Sequence, residues 1–448
     1  MAIEYFLLRQ LEKLMAEPLN RHYWCDQKLD SDPAKRLQQL TLHYNGRIRE
    51  RAVLCLGYMR EGAALPALIE RANDWVMQVR KAARTSLQQF MNPQDAHLLV
   101  GCLPNFFGLL RGGRDDHQKL VDEVVHFLIR PENLNQLVSG LAAKEKEVPR
   151  AVLCILLEQK CFSVDVIFQK ISQHDDALVR LMGVKALLLH PDLVTAEILC
   201  ILLKDSYALV KQAALQHVID EKWVIAPGQL LPLLIDRNEL VRKRAARLLD
   251  AGGISPAEYY KSVFNDLSRK AADRSAALMG LDEQKYNGAV ALALACRDLS
   301  QTRLYRTALY VLVRNLQEDA REYLLEALVH PKYSTAKIAM QKIVKLKLYI
   351  SLSEIQQSLA AAPTSKHPSL YYVLANRLSL WDSLIFLLTA KKDMESQYMQ
   401  EAIAAWEKRS RGISLKPSQS QKNQLRALLE IHPELIFKDR LFLMQSLA

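Results

Sequence analysis

The residues with the clearest chemical spacing are acids followed six positions later by a base: Asp74 and Arg80, Asp205 and Lys211, Asp236 and Arg242. A carboxylate beside a guanidinium or ammonium can move protons, or it can hold two elements together through charge-assisted hydrogen bonds. The rest of a catalytic constellation is missing from the sequence. There is no G-x-x-x-x-G-K-[ST] to cradle phosphate, no G-x-G-x-x-G, no H-E-x-x-H and no G-x-S-x-G. Gly112-Gly113, flanked by Arg111 and Arg114, reads as a surface turn. His190, His330, His367 and His432 each precede proline, which pushes a residue out of the helical region, so they mark turns rather than metal ligands. Cys154 and Cys161 share a face if one unbroken helix carries them, but no histidine accompanies them at ligand spacing. No catalytic residue, cofactor or metal is expected, and the chain is not expected to be an enzyme.

The elements that carry these pairs are helices. Residues 205–249 hold two copies of one pattern: Asp205, Val210-Lys211, Ala213-Ala214, then Asp236, Val241-Arg242, Ala245-Ala246. Val241, Ala245, Leu248 and Leu249 fall on one stripe of an α-helix. Successive copies are offset by 31 residues: Arg180 precedes Lys211, which precedes Arg242, and Arg49 precedes Arg80. Asp175-Asp176 with Val179-Arg180 and Gly183 form a further copy, as do Ile48-Arg49 with Ala52 and Val79-Arg80 with Ala82-Ala83. Ala276-Ala277, Ala308 and Ala339 continue the period more weakly. A fixed period of this length marks stacked units, each burying its apolar stripe against its neighbours.

The pattern D-x-x-x-x-V-R-x-x-A opening the second helix of each copy resembles the HEAT-repeat family in a short, bacterial-type form, over roughly residues 40–345. The resemblance implies an all-α fold: a right-handed solenoid of about ten to twelve antiparallel helix pairs, with the second helices lining the concave face. It also implies that the acid and base form a ladder between neighbouring repeats, so that Arg80, Lys211 and Arg242 are structural. Some HEAT-like proteins are similar to DNA alkylpurine glycosylases, which set an acid and aromatics in a basic groove. Trp381-Asp382 is the nearest such pair here, with Trp75, Trp223 and Trp406 scattered beyond it; their dispersal favours turn packing.

Composition agrees with packed helices: 50% hydrophobic, 7% aromatic and only 15 glycines in 448 residues. No apolar run reaches membrane-spanning length, and residues 1–17 read as an amphipathic helix rather than a signal peptide, so a cytoplasmic chain is expected. The seven cysteines, Cys25, Cys55, Cys102, Cys154, Cys161, Cys200 and Cys296, lie in mostly apolar text without C-x-x-C and are expected reduced and buried. Three regions are expected: a helical cap over 1–40, the repeats over 41–350 with an enlarged loop near 105–117, and further helices over 351–448 with a polar, mobile connection at 412–423.

The net charge of +11 admits an acidic protein, nucleic acid or anionic lipid as partner. Once the ladder bases are set aside, Lys243, Arg244 and Arg247 lie off the apolar stripe, and Lys81 and Arg84 hold equivalent positions in their own repeat. These five are the expected partner-binding residues. Lys332, Lys337, Lys342, Lys345 and Lys347 form a second basic group, with no acid between 327 and 353. The expected function is a non-enzymatic scaffold that holds an acidic protein partner on its concave face. The resemblance places such proteins among accessory or immunity components of bacterial secretion or defence assemblies. The alternative is nucleic-acid binding in the same groove; single strands favour aromatics between the basic residues, and 241–249 has none.

Overall fold

The computed structural model describes residues 2–17, 29–296, 300–363, 368–390, 396–411, 415–431 and 440–448. Among them all regular structure is helical and no strand occurs. The chain divides into two compact units, Met1–Trp223 and Val224–Ala448. In each, helices pack in chain order against their sequence neighbours, the arrangement of an α-solenoid.

In the first unit a short helix is followed by a longer one: Leu65–Arg71 then Met77–Gln88, Val164–Ile171 then Ala177–Leu187, Ala196–Leu203 then Ala208–Asp220. Apolar residues at helical spacing set the buried face. Ile48, Ala52, Val53 and Leu56 of Gly46–Met59 are sealed, as are Val79, Ala83 and Leu87 one repeat on. Small residues govern how closely the longer helices approach. A Cβ on Gly57 would lie 2.4 Å from Ser86 Oγ, and that hydroxyl instead donates to Val53 O at 3.1 Å. At 183, where other copies carry alanine, a Cβ would lie 1.9 Å from Ile171 Cδ1, so a larger residue there would force the Ile171 side chain to shift.

Residues 92–150, around the expected enlarged loop, form two helix pairs. The first opens with Ala96–Gly101 and Leu103–Leu109, separated at Cys102 just before Pro104, and closes with Gln118–Leu128; the second is Pro131–Ser139 with Glu147–Glu158. Cys154 and Cys161 do not share a helix. The helix ends at Glu158, Lys160 adopts φ 50°, and Cys161 N–H donates back to Leu156 O at 3.2 Å. This is the left-handed helix stop usually built on glycine. It recurs at Lys222, Lys285 and Lys347, and with glycine at Gly253 (φ 76°). Of the cysteines only Cys55 is fully buried; Cys102, Cys154, Cys161, Cys200 and Cys296 are partly exposed, and Cys25 lies outside the described residues.

In the second unit the stripe of Glu239–Ala251 is as expected for Val241, Ala245, Ala246 and Leu249, while Leu248 is only half-buried. Trp381 and Trp406 are core residues, not groove aromatics. Their indoles donate to Leu415 O (2.8 Å) and Leu380 O (2.7 Å), and Trp381 stacks on Phe442. The polar stretch expected to be a mobile connection is corrected over 419–423. There Gln419–Ile431 is helical: Ser418 Oγ accepts from Gln421 N–H, and Gln421 Oε1 accepts from Ser418 N–H. That reciprocal cap is a helix-start device, and it satisfies the groups a loop would leave to water. Residues 412–414, like His367 and His432, lie outside the described residues.

Candidate partner-binding surface

The acid–base pairs set the frame on which any surface sits. Arg180 Nη1 donates to His174 O (2.6 Å) and Asp175 O (3.3 Å), in the turn just before its own helix. Its Nε and Nη2 both reach Asp205, at 2.8 Å each, 25 residues ahead. Asp205 Oδ1 also accepts the Tyr207 amide at 2.7 Å. Arg49 repeats every contact: His43 O and Tyr44 O behind it, Asp74 ahead at 2.7 and 2.9 Å, and Asp74 Oδ1 on Val76 N–H. Where an acid stands six before the arginine, the spacing joins the guanidinium to that acid's backbone carbonyl: Arg80 Nη1 donates to Asp74 O at 2.9 Å and Arg242 Nη1 to Asp236 O at 2.8 Å. The carboxylates of Asp74 and Asp205 belong to the arginine of the previous repeat. Burial alone would raise Asp74 and Asp205, but the guanidinium bonds and the turn amides outweigh it and hold both below the ordinary carboxylate range.

Two rungs are irregular. Arg80 meets Asp115, 35 residues ahead at 3.1 Å, because the loop after Leu103–Leu109 adds residues before presenting its acid. Arg242 pairs with Glu283, 41 residues ahead, at the far end of Ala271–Glu283. Burial is the dominant influence on Glu283 and raises its pKa despite Arg242.

Of the five expected binding residues, Lys81 and Arg247 are exposed, while Arg84, Lys243 and Arg244 are half-buried. Lys243 pairs with Glu239 one turn back on its own helix. Arg84 is tied to the loop: its Nη2 donates to Asp115 Oδ2 (3.1 Å) and to Asp116 O (3.0 Å). Lys81 and Arg84 belong to the first unit, and Lys243, Arg244 and Arg247 to the second.

Sequence reasoning passed over the apolar part of this surface. Trp75 is 77% exposed and Met77 50%, in the turn and first residue leading into the helix that carries Lys81. Met77 and Lys81 are one helical turn apart and share a side. Arg114 of the enlarged loop lies 4.5 Å from the Trp75 ring centre, and its Nη1 donates to Asn73 O at 3.1 Å. Tyr44, at the position of Trp75 one repeat earlier, is also exposed, as is Leu42. The available signal was Trp75 directly after a ladder acid, where a side chain points away from the stacked helices.

Among the described residues no group of three or more His, Cys, Asp or Glu is placed to hold a metal, and no helix is long and apolar enough to cross a membrane. No family model matches the chain, and no curated protein matches it. Solved structures similar to it include the crystal structure of an engineered protein, 15% identical, covering 83% of this chain and 97% of that chain at a TM-score of 0.23, which carries no argument about fold or function.

Proposed function

We propose that the protein is a non-enzymatic scaffold that binds a protein partner through the first-unit surface around Trp75, Met77 and Lys81, to which Arg84 adds positive charge; Lys243, Arg244 and Arg247 are basic residues of the second unit and form no part of that surface. The observation that carries this reading is the exposed Trp75, stacked by Arg114 and followed by Met77 and Lys81 on one helix side. Tryptophan, methionine and arginine are the residue types enriched at protein interfaces, and tryptophan dominates their binding energy. The arginine ladder supports the reading from below. A surface prebuilt on buried ion pairs loses little conformational freedom when a partner docks. Membership of the short HEAT-like repeats, and a place among bacterial secretion or defence components, remain part of this proposal.

The test is a comparative pull-down from the native host with the wild-type chain and Trp75→Ala, followed by binding kinetics of the recovered protein at two ionic strengths. The expected results are loss of that protein with Trp75→Ala and slower association with Lys81→Glu. Equal capture by folded forms of both variants would sink the reading.

A further inference from the structure

We propose that the exposed sides of the helices Thr302–Leu316 and Tyr333–Lys345, in the second unit, form a binding site for single-stranded nucleic acid. On the first helix Arg303, Arg306, Tyr310 and Arg314 stand at i, i+3, i+7 and i+11, which is one face, about 16 Å long at ~1.5 Å per residue. Arg303, Tyr310 and Arg314 are exposed and Arg306 is half-buried. On the second helix Lys337 and Lys345 are exposed and Lys342 is half-buried. Neither helix contains an acid. Lys342 Nζ lies 5.0 Å from the Tyr310 ring centre, so the two faces meet at that tyrosine.

Beside the ring is an open pocket of about 340 Å³, near the lower end of the ~300–1,000 Å³ of small-ligand sites. Met279, Val313 and Leu346 give it an apolar floor, and Arg314, Lys342 and Lys345 rim it. The acid in the pocket, Asp282, is engaged: it accepts from Asn315 Nδ2 at 2.5 Å and from Arg314 Nη1 at 3.1 Å. That bond also fixes Arg314 in place. At the lip Gln317 holds φ 51° and ψ −112°, a backbone state that non-glycine residues rarely adopt and that clusters at ligand sites.

A row of cations with an exposed ring among them is what a flexible polyanion with flat faces requires. Phosphates are neutralised along the row while a base stacks on Tyr310 over the apolar floor. An acidic protein segment would use the cations but would leave the ring without a planar counterpart. A duplex keeps its bases stacked inside, out of reach of the ring.

The experiment is fluorescence anisotropy of the full chain with a labelled oligothymidylate between about 50 and 200 mM salt. Wild type is expected to bind with a log–log salt slope on the order of −3, about four phosphates at ~0.7 each. Tyr310→Ala is expected to weaken binding roughly 5- to 150-fold, with the slope unchanged, and Tyr310→Phe to restore it. Lys342→Ala with Lys345→Ala is expected to flatten the slope by about 1.4. Circular dichroism checks that each variant is folded. The proposal is overturned by absence of binding at the lowest salt or by equal affinity of folded Tyr310→Ala. It is equally overturned if a polyglutamate peptide binds as tightly and loses as much with Tyr310→Ala, because the site would then be one for acidic protein. Trp75→Ala, in the first unit, tests the scaffold surface separately and should leave oligothymidylate affinity unchanged.

Discussion

Arg180 and Asp205 form a two-pronged ion pair, both prongs at 2.8 Å, while the same arginine closes its own turn and the same aspartate opens the next helix. Each side chain bonds both inside its own repeat and across to the neighbour. The pair therefore transmits the local turn geometry along the stack, and its two side chains are about one-tenth exposed.

The first prediction separates the two bonds of Asp205. Asp205→Asn keeps an acceptor for the Tyr207 amide but loses the carboxylate that matches the guanidinium fork. Asp205→Ala loses both and leaves Arg180 unpaired. Hydrogen bonds to charged groups are worth ~1.5–3 kcal/mol, so we expect a loss of about 1–2 kcal/mol for the amide and about 3 for alanine. Urea unfolding measures both. Equal losses would mean that the turn amide contributes nothing.

A second prediction concerns pH. Asp74, Asp176 and Asp205 titrate below ordinary carboxylates: burial opposes this, but bonds from Arg49, Arg150 and Arg180 and from backbone amides prevail. The folded state holds their protons less tightly than the unfolded chain does. Their contribution is complete above the ordinary range near pH 4 and fades as pH falls through the lowered folded values. His43 is also lowered, first by burial and then by the Arg49 charge. Its contribution is complete above about pH 6.5 and declines below that, because the unfolded chain takes up the proton first. Thermal stability should thus fall in two steps on acidification, a shallow one below about pH 6.5 and a steeper one below about pH 4. His117 is lowered too, first by burial and then by the Arg84 charge, so both histidines share the first step. His43→Gln should shrink it, and a first step of undiminished size in this variant would refute the part assigned to His43.

The third prediction uses the helix stops. Lys160 and Lys285 hold φ 50° and 54°, a region where a β-carbon costs on the order of 1 kcal/mol. Lys160→Gly and Lys285→Gly should each raise stability by about 0.5–1 kcal/mol, as Gly253 already serves at the equivalent stop. A fall in stability would show that the lysine charge at the helix C-terminus outweighs the backbone strain.

The fourth prediction checks the repeat register. Ala245 is fully buried between helices, so Ala245→Asp places an unpaired charge there and should abolish cooperative unfolding of its surroundings. Arg242→Ala should cost about 2 kcal/mol by leaving the almost fully buried Glu283 carboxylate without its partner, while Arg244→Ala should stay within ~0.5.

The frame was legible because its chemistry repeats at the repeat period. Arg49 and Arg80 are 31 apart and Asp74 is six before Arg80, so Asp74 must fall 25 after Arg49. Where partners left the period, sequence spacing was silent. Asp115 arrives late through an enlarged loop, and Glu283 comes from the opposite end of a helix. The Ser418–Gln421 cap was readable as S-x-x-Q but lay in text too polar to suggest a packed helix. Trp75 was read as turn packing because its type does not reveal that the neighbouring helices leave it uncovered.

The last prediction follows from Asp115, which neutralises two cations at once. Its Oδ2 accepts from Arg80 Nε and Arg84 Nη2, both at 3.1 Å, and Arg84 sits one turn from Lys81 beside the exposed Trp75. Asp115 is about one-third exposed, so the pairs are solvent-screened and their loss costs little, within about 1 kcal/mol. Asp115→Asn should therefore leave the fold intact while unmasking positive charge on the proposed docking surface. Association with an acidic partner should become faster, and the rate should fall more steeply with added salt, because steering scales with net charge and is screened within about 10 Å at 0.1 M. Trp75→Ala in the same background should raise the dissociation rate without removing the gain in association. If Asp115→Asn leaves both the rate and its salt dependence as in wild type, the partner does not approach across this face and the surface around Trp75, Met77 and Lys81 is not the docking site.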